Sequence, residues 1–152
     1  MVFDADERRI ILGSLFGSCL VWSLDDASGL MATEPAGGAI LDIALTADGS
    51  CAITAAGDDT IHIWELGLGR VRMHMNGSVG KVDALAVSPN GEFAYSIYHD
   101  TLMAYDLGRS TRLVALSFDH QITAVGVTPD GKRIAVGDQS GCVHFLCLEM
   151  KS

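Results

Sequence analysis

Few of the 152 residues carry side chains suited to chemistry. Histidine and aspartate are the usual acid–base groups, and cysteine thiolates bind metals or attack carbonyls. The four cysteines, Cys19, Cys51, Cys142 and Cys147, show no C-x-x-C spacing of a zinc site. Cys142 and Cys147 lie an odd number of residues apart, so a strand sends them to opposite faces. Reduced, mostly buried thiols are expected. His62 and His144 stand 82 residues apart in similar apolar contexts, which predicts a shared packing role rather than a ligand pair. Adjacent Asp58 and Asp59 would point apart in an extended or turning segment, so they read as turn residues. The same holds for Asp48 and Asp130. Gly67 and Gly69 flank Leu68 between strand patterns rather than before a helix, so no dinucleotide site follows. The chain has no G-x-S-x-G, no H-E-x-x-H and no glycine-rich phosphate loop. The sequence assigns no catalytic residue, no metal ligand and no cofactor.

The elements behind these residues are short apolar bursts separated by Gly, Asp, Asn and Ser, with no sustained 3.6-residue period, which is an all-β pattern. Leu45-Thr46-Ala47-Asp48-Gly49, Val87-Ser88-Pro89-Asn90-Gly91 and Val127-Thr128-Pro129-Asp130-Gly131 recur 42 and 40 residues apart. A second anchor follows 15 or 16 residues behind each Asx: Ile63-Trp64-Glu65-Leu66, Ala104-Tyr105-Asp106-Leu107 and Phe145-Leu146-Cys147-Leu148, with Val21-Trp22-Ser23-Leu24 ahead of them. Asx-Gly after an apolar run closes a tight turn, and the run ending at Trp or Tyr is the later strand of a meander. Strands are predicted over 39–46, 51–56, 60–66 and 70–76, then over 82–88, 93–98, 101–107 and 112–118. One such sheet cannot hide both of its faces, so neighbouring sheets must stack, and radial stacking makes a propeller.

Composition agrees with a globular domain: 49% hydrophobic, 19% charged, 17 Gly and 3 Pro. Ten Lys plus Arg against nineteen Asp plus Glu give a formal net charge of −9, which excludes counterion release from nucleic acid as a driving force. Asp4, Asp6 and Glu7 stand where a signal peptide would be basic, and no apolar run is long enough to span a bilayer. A cytoplasmic protein is expected, with the nucleus as the other compartment, and neither membrane nor nucleic acid as partner.

Ser88-Pro89-Asn90-Gly91 and Asp58-Asp59-Thr60-Ile61-His62-Ile63-Trp64-Glu65 resemble the S-P-D-G turn and the D-x-T-I-x-x-W-D strand of WD-repeat propellers. The resemblance implies an all-β propeller of WD-repeat type, with about three and a half four-stranded blades, incomplete at both ends. Its units fall near 1–36, 37–77, 78–119 and 120–152, with about three, four, four and three strands, and a fragment of a larger multidomain protein is expected. The family's buried network joins a His, a Ser or Thr, an Asp and the Trp. It carries over to Thr54, Asp58 and Trp64, with Ala36 in place of the His, and to Ser96, Asp100 and Tyr105, with Ser78 in that place. The other two units depart from it, with Val136, Ser140 and Leu146 in one and Leu12, Phe16 and Trp22 in the other.

Propellers of this resemblance act mainly as platforms for proteins or peptides. The expected rim carries Asp58, Asp59, Asp100, Asp119, His120 and Asp138 with Lys81, an acidic face suited to a basic segment. The opposite face mixes Arg70, Arg72, Arg109, Arg112, Lys132 and Arg133 with acids. Self-association through open blade edges is a further expectation. Two alternatives stand beside the scaffold reading. One is a propeller enzyme with a metal or hydrolytic site in the central channel, where Asp42, Asp83 and Thr123 are the polar groups; the other is a purely structural or autoinhibitory module.

Overall fold

The turn residues decide where the chain reverses. Thr46 donates its hydroxyl to Asp48 Oδ1 at 2.6 Å, Ser88 to Asn90 Oδ1 at 2.6 Å and Thr128 to Asp130 Oδ1 at 2.5 Å. In each turn the next residue is glycine with φ of 64°, 68° and 70°, a left-handed conformation that costs a Cβ-bearing residue free energy. The computed structural model describes residues 1–4, 6–25, 31–33, 35, 37–76 and 82–147.

Among these residues fifteen strands form four antiparallel sheets and no helix. The first sheet holds β1 (Val2–Phe3), β2 (Arg9–Gly13), β3 (Cys19–Ser23) and β4 (Met31–Ala32). The second holds β5 (Ile40–Leu45), β6 (Cys51–Ala56), β7 (Thr60–Glu65) and β8 (Arg70–Asn76). The third holds β9 (Ala84–Val87), β10 (Phe93–Tyr98), β11 (Thr101–Asp106) and β12 (Thr111–Ser117). The fourth holds β13 (Ile122–Val127), β14 (Ile134–Asp138) and β15 (Val143–Leu146). Sequential strands are neighbours in every sheet, so each is a meander. The eight predicted strands of the second and third sheets lie within two residues of the observed bounds.

Three apolar cores bind the sheets in chain order. Ile11, Cys19, Val21, Ile43, Ala52 and Trp64 fill the first seam. Ile53, Ile61, Ile63, Leu85, Met103 and Tyr105 fill the second, and Tyr95, Ile97, Leu102, Ile122, Ile134 and Val136 the third. The first strand of each sheet lies against the first strand of the next, β1 on β5, β5 on β9 and β9 on β13, which is the fan of a propeller.

Two expectations are corrected. The first sheet has four strands rather than about three. Its last, β4, is held by the neighbouring Thr33, which donates its amide to Cys19 O at 2.9 Å and accepts the Cys19 amide on Oγ1 at 2.8 Å. The thiols are not mostly buried: Cys19 is, Cys51 is half-buried, and Cys142 and Cys147 are exposed. The exposed pair flanks β15, whose Val143 and Phe145 are also exposed at 60% and 65%. No helix among the described residues is long and apolar enough to cross a membrane.

Candidate functional site

In a meander the second-to-third hairpins and the links between sheets emerge at one end. Here that end gathers the β6–β7, β10–β11 and β14–β15 hairpins and the β12–β13 loop. Asp58 and Asp59 form the tip of the first hairpin, with Asp59 at φ 65°, and His99 and Asp100 form the second, with His99 at φ 52°. Asp119 and His120 lie exposed in the β12–β13 loop. Lys81, Ser78 and Ala36 lie outside the described residues.

Each aspartate is held differently. Asp58 Oδ1 accepts the Thr60 hydroxyl and amide, and Oδ2 accepts the Gly38 amide at 3.3 Å. Burial alone would raise its carboxyl, but these hydrogen bonds outweigh that and hold it below the ordinary range. Asp100 accepts the Thr101 hydroxyl at 3.0 Å. Asp83, near the start of β9, accepts the His99 amide at 3.1 Å and so braces the second hairpin.

Asp138, expected on the exposed rim, is instead buried in its own hairpin. Oδ1 accepts the Ser140 amide at 2.9 Å, the Ser140 hydroxyl at 2.6 Å and the Cys142 amide at 3.1 Å, while Oδ2 meets His144 Nε2 at 2.7 Å. The hydroxyl of Ser140 and the imidazole of His144 drive the Asp138 carboxyl far below its usual range. The His144 ring leans on Phe118 with centroids 5.1 Å apart. A cavity of about 360 Å³ opens here between the third and fourth sheets, bordered by Phe118, Asp119, His120, Asp138 and His144. Its polar order is Ser140 to Asp138 to His144, so the carboxylate takes both partners and, among the described residues, no hydroxyl is hydrogen-bonded to the imidazole. A hydrolytic triad runs hydroxyl to imidazole to carboxylate.

The expected blade networks are joined in part. Trp64 Nε1 donates to Thr54 Oγ1 at 2.9 Å, both residues fully buried, and Ser96 Oγ lies 3.2 Å from Tyr105 OH, also buried. Asp58 and Asp100 stay with Thr60 and Thr101. His62, expected in a packing role, lies beside Trp64 on the same strand: it is 4% exposed, with its ring 5.9 Å from the indole and Thr60 Oγ1 3.4 Å from its nitrogens. The matching positions of His62 and His144, each on the third strand of its sheet, do not give them a shared role: His62 is buried, whereas His144 is half-buried against Asp138. No group of three or more His, Cys, Asp or Glu among the described residues is placed to hold a metal ion.

Comparison with known proteins agrees with the fold. Residues 30–65 match the family described as WD domain, G-beta repeat. The chain is 33% identical over 133 residues to cilia- and flagella-associated protein 52 of Chlamydomonas reinhardtii, covering 82% of this chain and 21% of that protein. It is 24% identical over 143 residues to autophagy-related protein 16 of Arabidopsis thaliana, covering 93% and 28%. It is also 24% identical over 144 residues to protein groucho of Drosophila melanogaster, covering 93% and 20%. The chain thus spans between a fifth and a third of the length of these curated relatives.

Proposed function

We propose that this chain, a WD-repeat protein of the β-propeller type, is a non-catalytic platform that docks a basic segment of a partner protein or peptide on its aspartate-bearing end. WD-repeat proteins are typically protein-interaction scaffolds, and stacked meanders give hairpin tips a rigid mount. One observation carries the finer reading. Asp58, Asp59, Asp83, Asp100 and Asp119 are exposed at one end, and the described residues of the hairpins and loop there include no Lys or Arg. A concentration of one sign steers the opposite charge. We place the protein in the cytoplasm, with the nucleus as the second compartment, because four thiols without a disulfide suit a reducing environment.

The test is an array of equal-length peptides graded in Lys and Arg content, probed with the wild-type chain and with an Asp59→Lys, Asp119→Lys variant. Binding that rises with basic content, weakens with salt and is lost in the variant supports the reading. Binding indifferent to charge and salt refutes it.

A second reading, self-association, rests on apolar side chains exposed on the outer sheets: Phe3 at 50% and Trp22 at 44% on the first, Val143 and Phe145 on the fourth. Stacking of a second copy would bury them as the inner seams bury theirs. Sedimentation of wild type against Trp22→Ser and Phe145→Ser decides it: a concentration-dependent dimer weakened by either change supports the reading, and a monomer throughout refutes it.

A further inference from the structure

We infer that the cleft between the second and third sheets, at the end away from the acidic hairpins, docks a partner-protein segment presenting a large apolar side chain beside a carboxylate. The cleft encloses about 460 Å³, within the range of roughly 300–1,000 Å³ typical of ligand pockets. Its apolar lining is Ile53, Ile63 and Leu107, which belong to the core of that seam, together with Phe93, which packs against the next core.

The charges at its mouth are unequally occupied. Asp106 accepts the Arg109 amide at 2.8 Å and lies 3.5 Å from the Arg109 guanidinium. Glu92 accepts the Asn90 side-chain amide at 2.6 Å. Arg72 is exposed and, among the described residues, has no hydrogen-bond or ion-pair partner. Arg72 is therefore the one charged side chain of this lining that, among the described residues, makes no hydrogen bond or ion pair, although the chain as a whole carries −9.

The backbone places Arg72 deliberately. Ile63 pairs with Met73 but Trp64 pairs with Val71, so Arg72 is the extra residue of a β-bulge on the edge strand β8. Bulges bend a strand and re-aim the extra side chain. The third sheet repeats the bulge: Ala104 pairs with Val114 and Tyr105 with Arg112, which leaves Leu113 in the equivalent place. The same device thus carries an apolar residue in one sheet and a guanidinium over an apolar cleft in the other. A guanidinium beside an apolar floor takes a carboxylate in a paired, charge-assisted geometry, and the floor takes the apolar neighbour.

The experiment is selection of a displayed library of random peptides on the full chain. Enrichment of Leu, Ile, Met, Phe or Trp within two positions of Asp or Glu is expected. The selected peptides should bind Arg72→Glu protein about tenfold more weakly or worse. They should also slow amide exchange in β8 and in the turn around Leu107. Arg72 lies on an exposed strand edge, and unchanged circular dichroism shows that the variant folds. Charge reversal at Asp59 and Asp119 should leave this binding intact, which separates it from the rim. Enrichment of basic or uncharged peptides, affinity indifferent to Arg72→Glu, or no enrichment at all overturns the inference.

Discussion

Asp42 reaches from one sheet to the next: its Oδ2 accepts the backbone amide of Leu85 at 2.7 Å, tying β5 to β9, while Oδ1 accepts the Ile43 amide at 2.9 Å. The bond is charge-assisted and crosses a largely apolar seam between the two sheets, so it opposes sliding of β9 along β5. Asp42→Ala leaves the Leu85 amide without its acceptor in a largely buried seam, and a loss of about 1–3 kcal/mol is expected in urea unfolding. Hydrogen exchange at Leu85 should quicken in step. An unchanged midpoint would mean the seam holds without the bond.

Within the second sheet, Trp64 and Thr54 make the corresponding internal bond. Thr54→Val keeps the volume but leaves the buried indole N–H without an acceptor, which costs about 1–3 kcal/mol. Trp64→Phe removes the donor together with part of the packing. The double variant should lose less than the sum of the two, because the shared bond can be lost only once. Strict additivity in equilibrium unfolding would show that the bond contributes nothing.

The strands and the repeat were legible because both have one-dimensional signals. Thr46-Ala47-Asp48-Gly49 carries its own turn chemistry, and Trp64 and Tyr105 mark the strand that follows. The polar pairs Thr54–Trp64 and Ser96–Tyr105 were expected from the family resemblance alone; in the sheets each pair sits diagonally across neighbouring strands on one face. Other features lack such a signal. Asp138 and Asp58 both sit at second hairpins, but whether a carboxylate turns inward depends on donors folded around it, here Ser140, Cys142 and His144. Arg72 occupies its place through a register shift, which alternation cannot encode. Strand β4, two residues long, is too short to have a pattern.

The cysteines should separate by reactivity. Burial pushes the Cys19 thiol up to about 12, so at neutral pH it holds almost no thiolate and is shielded as well. Cys142 and Cys147 are exposed. In a native titration with an aromatic disulfide reagent, Cys142 and Cys147 should react first and Cys19 only on unfolding. The same burial has a pH consequence. The unfolded thiol ionises near 9 while the folded one resists, so the Cys19 contribution is intact below about 9 and declines as pH rises toward 12. Cys19→Ala should flatten that alkaline decline, and early modification of Cys19 in the folded chain would contradict its burial.

Acid should act through the aspartates, and most of all through Asp138. Its carboxyl is held below the ordinary 3.8 first by the Ser140 hydroxyl and then by His144, so the folded state favours the ionised form. Asp4, held by Arg9, and Asp48, held by Thr46, are shifted in the same direction. A depressed carboxylate stabilises the fold above its unfolded value, and that contribution is lost as pH falls below about 4, where the unfolded chain takes up protons first. Asp138→Asn removes the charge, so the variant should melt lower than wild type at neutral pH and lose less of its melting temperature on descent to about pH 3. The β14–β15 hairpin should loosen with it, because Ser140, Cys142 and His144 all lean on that one side chain. Parallel melting curves for the two proteins across this range would show that Asp138 is no more stabilised as an anion in the folded chain than in the unfolded one, whatever its hydrogen bonds.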